Sequence, residues 1–347
     1  MRILITGGAG FIGSCFVRQT CANGHDAVTV LDALTYAGNP ENLAGLEISP
    51  GYRFVHGSIC DADIVATAIA GCDAVVNFAA ETHVDRSIRD ARAFLDTNVD
   101  GVQVLMDAAR ERGIRFVQVS TDEVYGSIDV GRVTESHALA PSSPYAASKG
   151  AADLLVAAYV RTFGLNAVTT RCGNNYGPRQ FPEKLIPLFI TEAMEDRALP
   201  LYGDGLNVRD WIHVEDHCRA LRLILERGAT GAVYHVSAEI EVANRDLCSL
   251  ILSELGKPWS LIRHVADRPG HDRRYALDAS RLRGELGWEP TIGFEDGIRS
   301  TIEWYQQNRA WWARVKSGAY REYFEDMYGK RLAATAPVQE TGGKGHG

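Results

Sequence analysis

The 347-residue chain has no C-x-x-C pair; its seven cysteines (Cys15, Cys21, Cys60, Cys72, Cys172, Cys218, Cys248) are scattered and odd in number. That pattern argues against a disulfide framework and a zinc site, and fits reduced thiols. No metal is expected. Positive charge is not in excess either: 36 Lys and Arg stand against 44 Asp and Glu, a formal net charge of −8. Binding to nucleic acid or to an anionic membrane therefore has no electrostatic basis. No apolar run reaches the roughly 18 residues of a membrane span. Met1 leads into Ile3-Leu4-Ile5 and then glycines, with no basic or long apolar leader pattern. A soluble, cytoplasmic protein is expected.

The chain is rich in alternation. Its 46% hydrophobic content supports a sizeable core. Short β-branched runs predict strands at Arg2–Ile5, Val28–Leu31, Arg53–Val55, Ala74–Phe78, Arg115–Ser120 and Ala167–Thr170. Helical patterns lie between them at Ile12–Cys21, Ile64–Ala70 and Ala93–Arg112, and from Pro144 to about Phe163, where Ser142 and Ser143 offer caps. This rhythm predicts an α/β fold with a doubly wound parallel sheet. After Arg171 the rhythm breaks at Pro178, Pro182, Pro187 and Pro200. We expect residues 1–171 to form mainly the sheet domain, with possible later returns of the chain. Residues 172–332 should form mainly a smaller, partly discontinuous α/β substrate-binding lobe, and 333–347 a flexible tail. The stretch Trp304 to Trp312 reads as core or interface helix.

Gly7, Gly10 and Gly13 make a G-x-x-G-x-x-G turn between the first strand and the first helix. Without side chains, backbone can approach a pyrophosphate, and the helix N-terminus faces its charge. Asp32 ends the next strand, where a carboxylate accepts from a ribose 2′-hydroxyl but repels a 2′-phosphate. Strand, turn, helix and acid together predict a Rossmann site for NAD rather than NADP.

Tyr145 and Lys149 are four residues apart, one turn apart on a helix face. A free tyrosine, with a pKa of about 10, is a poor base at neutral pH. A neighbouring ammonium and a nicotinium charge both favour phenolate, so the pair can act as general base. The preceding strand ends in Ser120-Thr121-Asp122-Glu123, which sets a hydroxyl and two carboxyls at the carboxyl edge of the sheet. Adjacent carboxyls in a closed site can have their pKa values pushed apart, giving one acid and one base.

These motifs resemble the extended short-chain dehydrogenase/reductase family. Thr121 to Gly126, Ala80 to Ser87, Asn174 to Pro178, Phe181 to Pro187 and Arg268 to Tyr275 resemble its dTDP-glucose 4,6-dehydratase branch. The resemblance runs from Met1 to about Leu332 and implies a hydro-lyase. In its cycle C4 of the sugar is oxidised, water is eliminated across C5 and C6, and hydride returns to C6. It assigns Tyr145 to the O4 proton, Thr121 to a hydrogen bond with O4, and Lys149 to tuning Tyr145 and holding the nicotinamide ribose. Glu123 would remove the C5 proton, and a protonated Asp122 would donate to the departing C6 hydroxyl. It adds Phe11, Ile12, Ser58 and Ile59 to the cofactor site. For the nucleotide-diphosphate sugar it implies Thr82, Asn174, Glu183, Lys184, Leu185, Arg209, Asn244, Arg268 and His271. Arg209 and Arg268 are the natural diphosphate partners, because guanidinium offers phosphate a planar fork. A homodimer through Ala93–Arg112 and Tyr145–Phe163 is implied as well.

Two departures stand out. Ser237 and Ala238 occupy a segment where the family usually has glycines, with Glu239 and Glu241 beside them. That loop is expected to border the nucleotide pocket, which leaves dTDP against UDP open. Ser58 stands where an aspartate commonly meets adenine. A UDP-sugar dehydratase, a 4-epimerase and a non-catalytic NAD-binding regulator are the alternative readings.

Overall fold

The β-branched runs become β1 (Arg2–Thr6), β2 (Ala27–Asp32), β3 (Tyr52–His56), β4 (Ala74–Asn77), β5 (Arg115–Thr121) and β6 (Ala167–Cys172). Shorter strands follow: β7 (Asn174–Tyr176), β8 (Leu199–Tyr202), β9 (Val208–His213), β10 (Val233–Val236), β11 (Ile240–Ala243) and β12 (Ile262–Val265). This computed structural model describes residues 1–317 and 324–333. All but the first residue of the expected tail lies outside them.

Seven strands form one parallel sheet in the order β10-β6-β5-β4-β1-β2-β3. Winding proceeds outward from β1 to β3, then restarts on the other side at β4. The β1/β4 junction is thus the switch point, where crossovers diverge and leave a crevice. Helices Phe11–Ala22 and Val214–Arg227 cover one face through Phe16, Val17 and Leu221. Helices Ala62–Ala68, Gly101–Arg112 and Pro144–Phe163 cover the other, through Val65, Leu105, Met106, Ala152 and Val156.

Helix Pro144–Phe163 starts where its sequence says it should. Ser143 accepts from the amide of Ala146 at 3.1 Å, Pro144 sits in the first turn, and Gly164 ends the helix at φ 68°. The helix expected over Ala93–Arg112 is instead broken into Arg92–Leu95, a π turn at Asp96–Asp100 and Gly101–Arg112. The break accompanies the use of Asn98, whose amide reaches Glu81 O (3.0 Å) and Ser148 Oγ (2.9 Å), tying this helix to helix Pro144–Phe163.

After β6 the chain leaves the sheet for β7 to β9, then returns through helix Val214–Arg227 and β10. A three-stranded sheet (β11-β9-β7) and a two-stranded one (β12-β8) complete the smaller lobe. Its core gathers Tyr176, Trp211, Tyr305, Trp311 and Trp312, so the aromatic stretch of the last long helices is core.

Candidate active site

Gly7 and Gly13 are glycines because backbone fills the space a side chain would need. A Cβ on Gly13 would lie 2.2 Å from Gly7 O, and one on Gly7 (φ +66°) would lie 2.6 Å from Ala79 N. The resulting turn, with Gly10 donating to Gly7 O at 3.1 Å, forms the floor of a cavity of about 340 Å³ at the switch point. Gly10, Phe11, Ile12, Asp32, Ser58 and Ile59 line it with them. Asp32 is held by the amides of Ala9 and Leu34, both at 2.8 Å; burial raises its pKa against those two hydrogen bonds. The cradle and the strand-end acid fit a dinucleotide.

The same cavity is lined by Thr121, Asp122, Glu123, Tyr145 and Lys149. Thr121 ends β5 and turns the chain: its hydroxyl accepts from Glu123 N (3.3 Å) and donates to Asp122 Oδ1 (3.1 Å). Asp122 is 3% exposed and its Oδ2 has no hydrogen-bond partner. Burial, then the charges of Glu123 and Asp210, hold its carboxyl well above the usual range. Glu123 is raised by burial too, but Arg268, Lys184 and Arg209 oppose that shift. Three cations thus oppose the rise at Glu123, whereas two neighbouring carboxylates add to the rise at Asp122. Environment separates their roles.

Tyr145 is raised well above its ordinary value by burial and by the charges of Glu123 and Cys172, with a hydrogen bond from Thr121 working the other way. Burial lowers Lys149, partly opposed by Asp153. Lys149 donates to Val119 O at 2.7 Å, and Asp153 lies one turn further along, paired to Arg171 at 2.8 Å. At Tyr145 burial thus outweighs the favourable hydrogen bond.

A second cavity of about 170 Å³ adjoins the first, and Glu123, Asn174, Glu183 and Lys184 line both. Leu185, Arg209, Asn244, Arg268 and His271 line the second, and Thr82 lines the first. Every site residue expected from the sequence thus lies on one of two joined cavities. Arg209 on β9 is stacked 4.4 Å over the Tyr275 ring, with Nη2 on Asp272 O at 3.1 Å. Buried Arg268 Nη1, Asn174 Oδ1 and Asn244 Oδ1 have no hydrogen-bond partner among the described residues, as suits atoms that meet a polar ligand. Lys184 donates to Thr82 O at 3.1 Å. His271 is bonded to Asp267 (2.6 Å), and burial brings its pKa down to about 4.

The segment expected to border the nucleotide pocket reaches the second cavity at Asn244 but not through its two carboxylates. Glu239 and Glu241 line neither cavity. Glu239 adopts φ 58°, the left-handed conformation that favours glycine, and pairs with Arg132 (2.5 Å) and Arg283 (2.8 Å). Glu241 pairs with Arg274 at 2.6 Å. Ser237 donates to Asp210 Oδ2 at 2.5 Å.

A family model described as GDP-mannose 4,6 dehydratase matches residues 4–301. The chain belongs to that family. Within it, this chain is 55% identical to the dTDP-glucose 4,6-dehydratase of Streptomyces niveus, covering 91% of this chain and 96% of that one. It is 48% identical to dTDP-glucose 4,6-dehydratase 1 of Escherichia coli K12, covering 94% and 99%. A crystal structure of the dehydratase DesIV from Streptomyces venezuelae with NAD and TYD bound superposes with a TM-score of 0.90. Identity is 54%, over 91% of this chain and all of that one. A UDP-glucose 4-epimerase of Thermus thermophilus complexed with NAD shares the fold at 32% identity and a TM-score of 0.82, over 89% of this chain.

Several residues of the site were not singled out from sequence. Tyr275 supports Arg209, Asp210 acts on Asp122, and His83 and Arg86 flank Glu183 at 3.7 and 3.5 Å. His83 and Arg86 lie inside the Ala80–Ser87 motif, so the signal was present; their contact with Glu183 is tertiary.

Proposed function

We propose that this protein is an NAD-dependent dTDP-glucose 4,6-dehydratase, a hydro-lyase that makes dTDP-4-keto-6-deoxyglucose. The observation that carries the reading is Asp122, a buried carboxyl whose Oδ2 has no hydrogen-bond partner among the described residues, set beside Glu123 and Tyr145 in the glycine-floored cavity. Gly7 to Gly13, Asp32, Ser58, Ile59 and Lys149 would hold NAD, which supplies a hydride acceptor at C4, a hydride donor at C6 and a positive ring charge.

The protein supplies the proton chemistry. Tyr145 takes the proton of O4, with Thr121 hydrogen-bonded to it and Lys149 as the nearby cation. A C4 ketone acidifies the C5 proton, which Glu123 removes; its raised pKa makes it a stronger base than an exposed carboxylate. Asp122 donates its proton to the C6 hydroxyl as water leaves. In the second cavity Arg209, Arg268 and Lys184 would neutralise the diphosphate, and Asn174, Leu185, Asn244 and His271 would frame the rest of the nucleotide. That places the substrate mainly in the 172–332 lobe and the cofactor mainly on 1–171.

We also read the protein as a cytoplasmic homodimer. Among the described residues no helix is long and apolar enough to cross a membrane. Leu95, Leu154 and Phe163 are exposed apolar side chains on the helices expected to pair two subunits.

The test is incubation with NAD and dTDP-glucose, followed by mass spectrometry. Loss of one water with no net NADH is expected. A product of unchanged mass but altered C4 configuration would point to the epimerase instead, and turnover of UDP-glucose alone would move the nucleobase.

A further inference from the structure

The loop after β2 carries Thr35, Ala37 and Gly38 on the wall of the larger cavity. Tyr36, partly buried between them, turns its ring to residues of two other segments of the chain. There the Arg86 guanidinium lies 3.8 Å from its ring centroid, and the Phe181 ring meets it edge-on at 5.8 Å. Phe181 itself lines the cavity. Arg86, on helix Val84–Arg89, ion-pairs with Glu183 at 3.5 Å, and Glu183 lines both cavities. One run of contacts, Tyr36 to Arg86 to Glu183, therefore joins the cofactor loop to the wall shared with the substrate cavity. None of these three contacts is required by the fold of the sheet. Tyr36 lies beyond the end of β2, and Glu183 precedes helix Leu185–Met194.

We propose that Tyr36 and Arg86 are positioning residues that fasten the cofactor loop to the substrate wall and so retain NAD between turnovers. The inference rests on the NAD reading above. A stacked guanidinium is a suitable fastener: it holds an aromatic face without needing a fixed hydrogen-bond angle, and it also lies 3.5 Å from Glu183. Retention matters for a cycle that returns its hydride to the same sugar, because cofactor lost after C4 oxidation strands a ketone.

The experiment measures NAD per subunit after gel filtration, by acid release and chromatography, with NAD affinity from titration of the stripped protein. Wild type should keep NAD. Tyr36→Ala and Arg86→Ala should lose it, with binding weakened roughly tenfold. Tyr36→Phe, which keeps the ring, and Arg86→Lys, which keeps a cation over it, should restore most of the retention. Melting curves at saturating NAD, expected to match wild type, separate loss of the fastener from loss of the fold; Tyr36→Leu gives the same reading should Tyr36→Ala melt early. Alanine variants that retain NAD as wild type does overturn the proposal. A wild type that neither carries nor binds NAD overturns the cofactor reading itself.

Discussion

Lys149 donates its ammonium to the carbonyl of Val119 at 2.7 Å, on the strand whose end carries Thr121, Asp122 and Glu123. Helix Pro144–Phe163 is thus tied to β5 two residues before its end at Thr121. Lys149→Met should lower kcat and also leave that buried carbonyl unpaired, costing about 1–3 kcal/mol of stability. Tyr145→Phe should lower kcat by about 10²–10⁴ with little loss of stability. Steady-state rates and thermal melts of both variants check the pair; equal stability losses in the two would contradict it.

Gly13→Ala probes the floor of the cofactor cavity. The new Cβ would sit 2.2 Å from Gly7 O, where only backbone can give way. NAD binding should be abolished in calorimetric titration, with about 1–3 kcal/mol of destabilisation from overpacking. An alanine variant that binds NAD normally would falsify the cradle.

Glu183 predicts a pH dependence of stability. Burial pushes its carboxyl from 4.5 up to about 7, with Lys184 and Arg86 opposing the shift. Between those values the folded chain holds a proton that the unfolded chain has released. Its contribution to stability is thus fully present below pH 4.5 and lost as pH rises through about 7. The loss amounts to about 3 kcal/mol over that window. Ligand-free Glu183→Gln should therefore melt with a shallower decline from pH 5 to pH 8 than wild type. Parallel curves would show that Glu183 is not held protonated.

Glu239→Gly tests the departure at the β10–β11 loop. Glycine relieves the left-handed backbone at φ 58° but gives up the pairs with Arg132 and Arg283. The two effects nearly cancel, leaving at most about 1 kcal/mol of destabilisation. Because Glu239 lines neither cavity, kcat/KM for dTDP-glucose should stay unchanged. A shift in preference between dTDP- and UDP-glucose would restore the loop to the nucleotide site.

The cofactor half was legible because its signals are local. β-branched runs mark β1 to β6, and Gly10 and Gly13 belong to a turn that packs on the backbone of Gly7 a few residues away. What stayed hidden depends on distance in the chain. β10 is four residues long and earns its place only by pairing with β6, more than sixty positions earlier. The π turn at Asp96–Asp100 answers to Glu81 and Ser148, not to its own sequence. Tyr36 reads as a loop aromatic until Arg86 is laid over it. Glu239 and Glu241 were legible as a departure but not in direction, since only the fold reveals the arginines they face.

The return of β10 to the sheet makes the excursion through β7 to β9 an insertion anchored at both ends. A protein cut at about Thr170, before that return, would lose the partner strand of β6 and leave a row of hydrogen-bonding groups bare along an apolar edge. The cofactor-binding half is therefore no detachable module. It has to wait for the chain to come back before its last edge is sealed, and the substrate pocket is formed on the way.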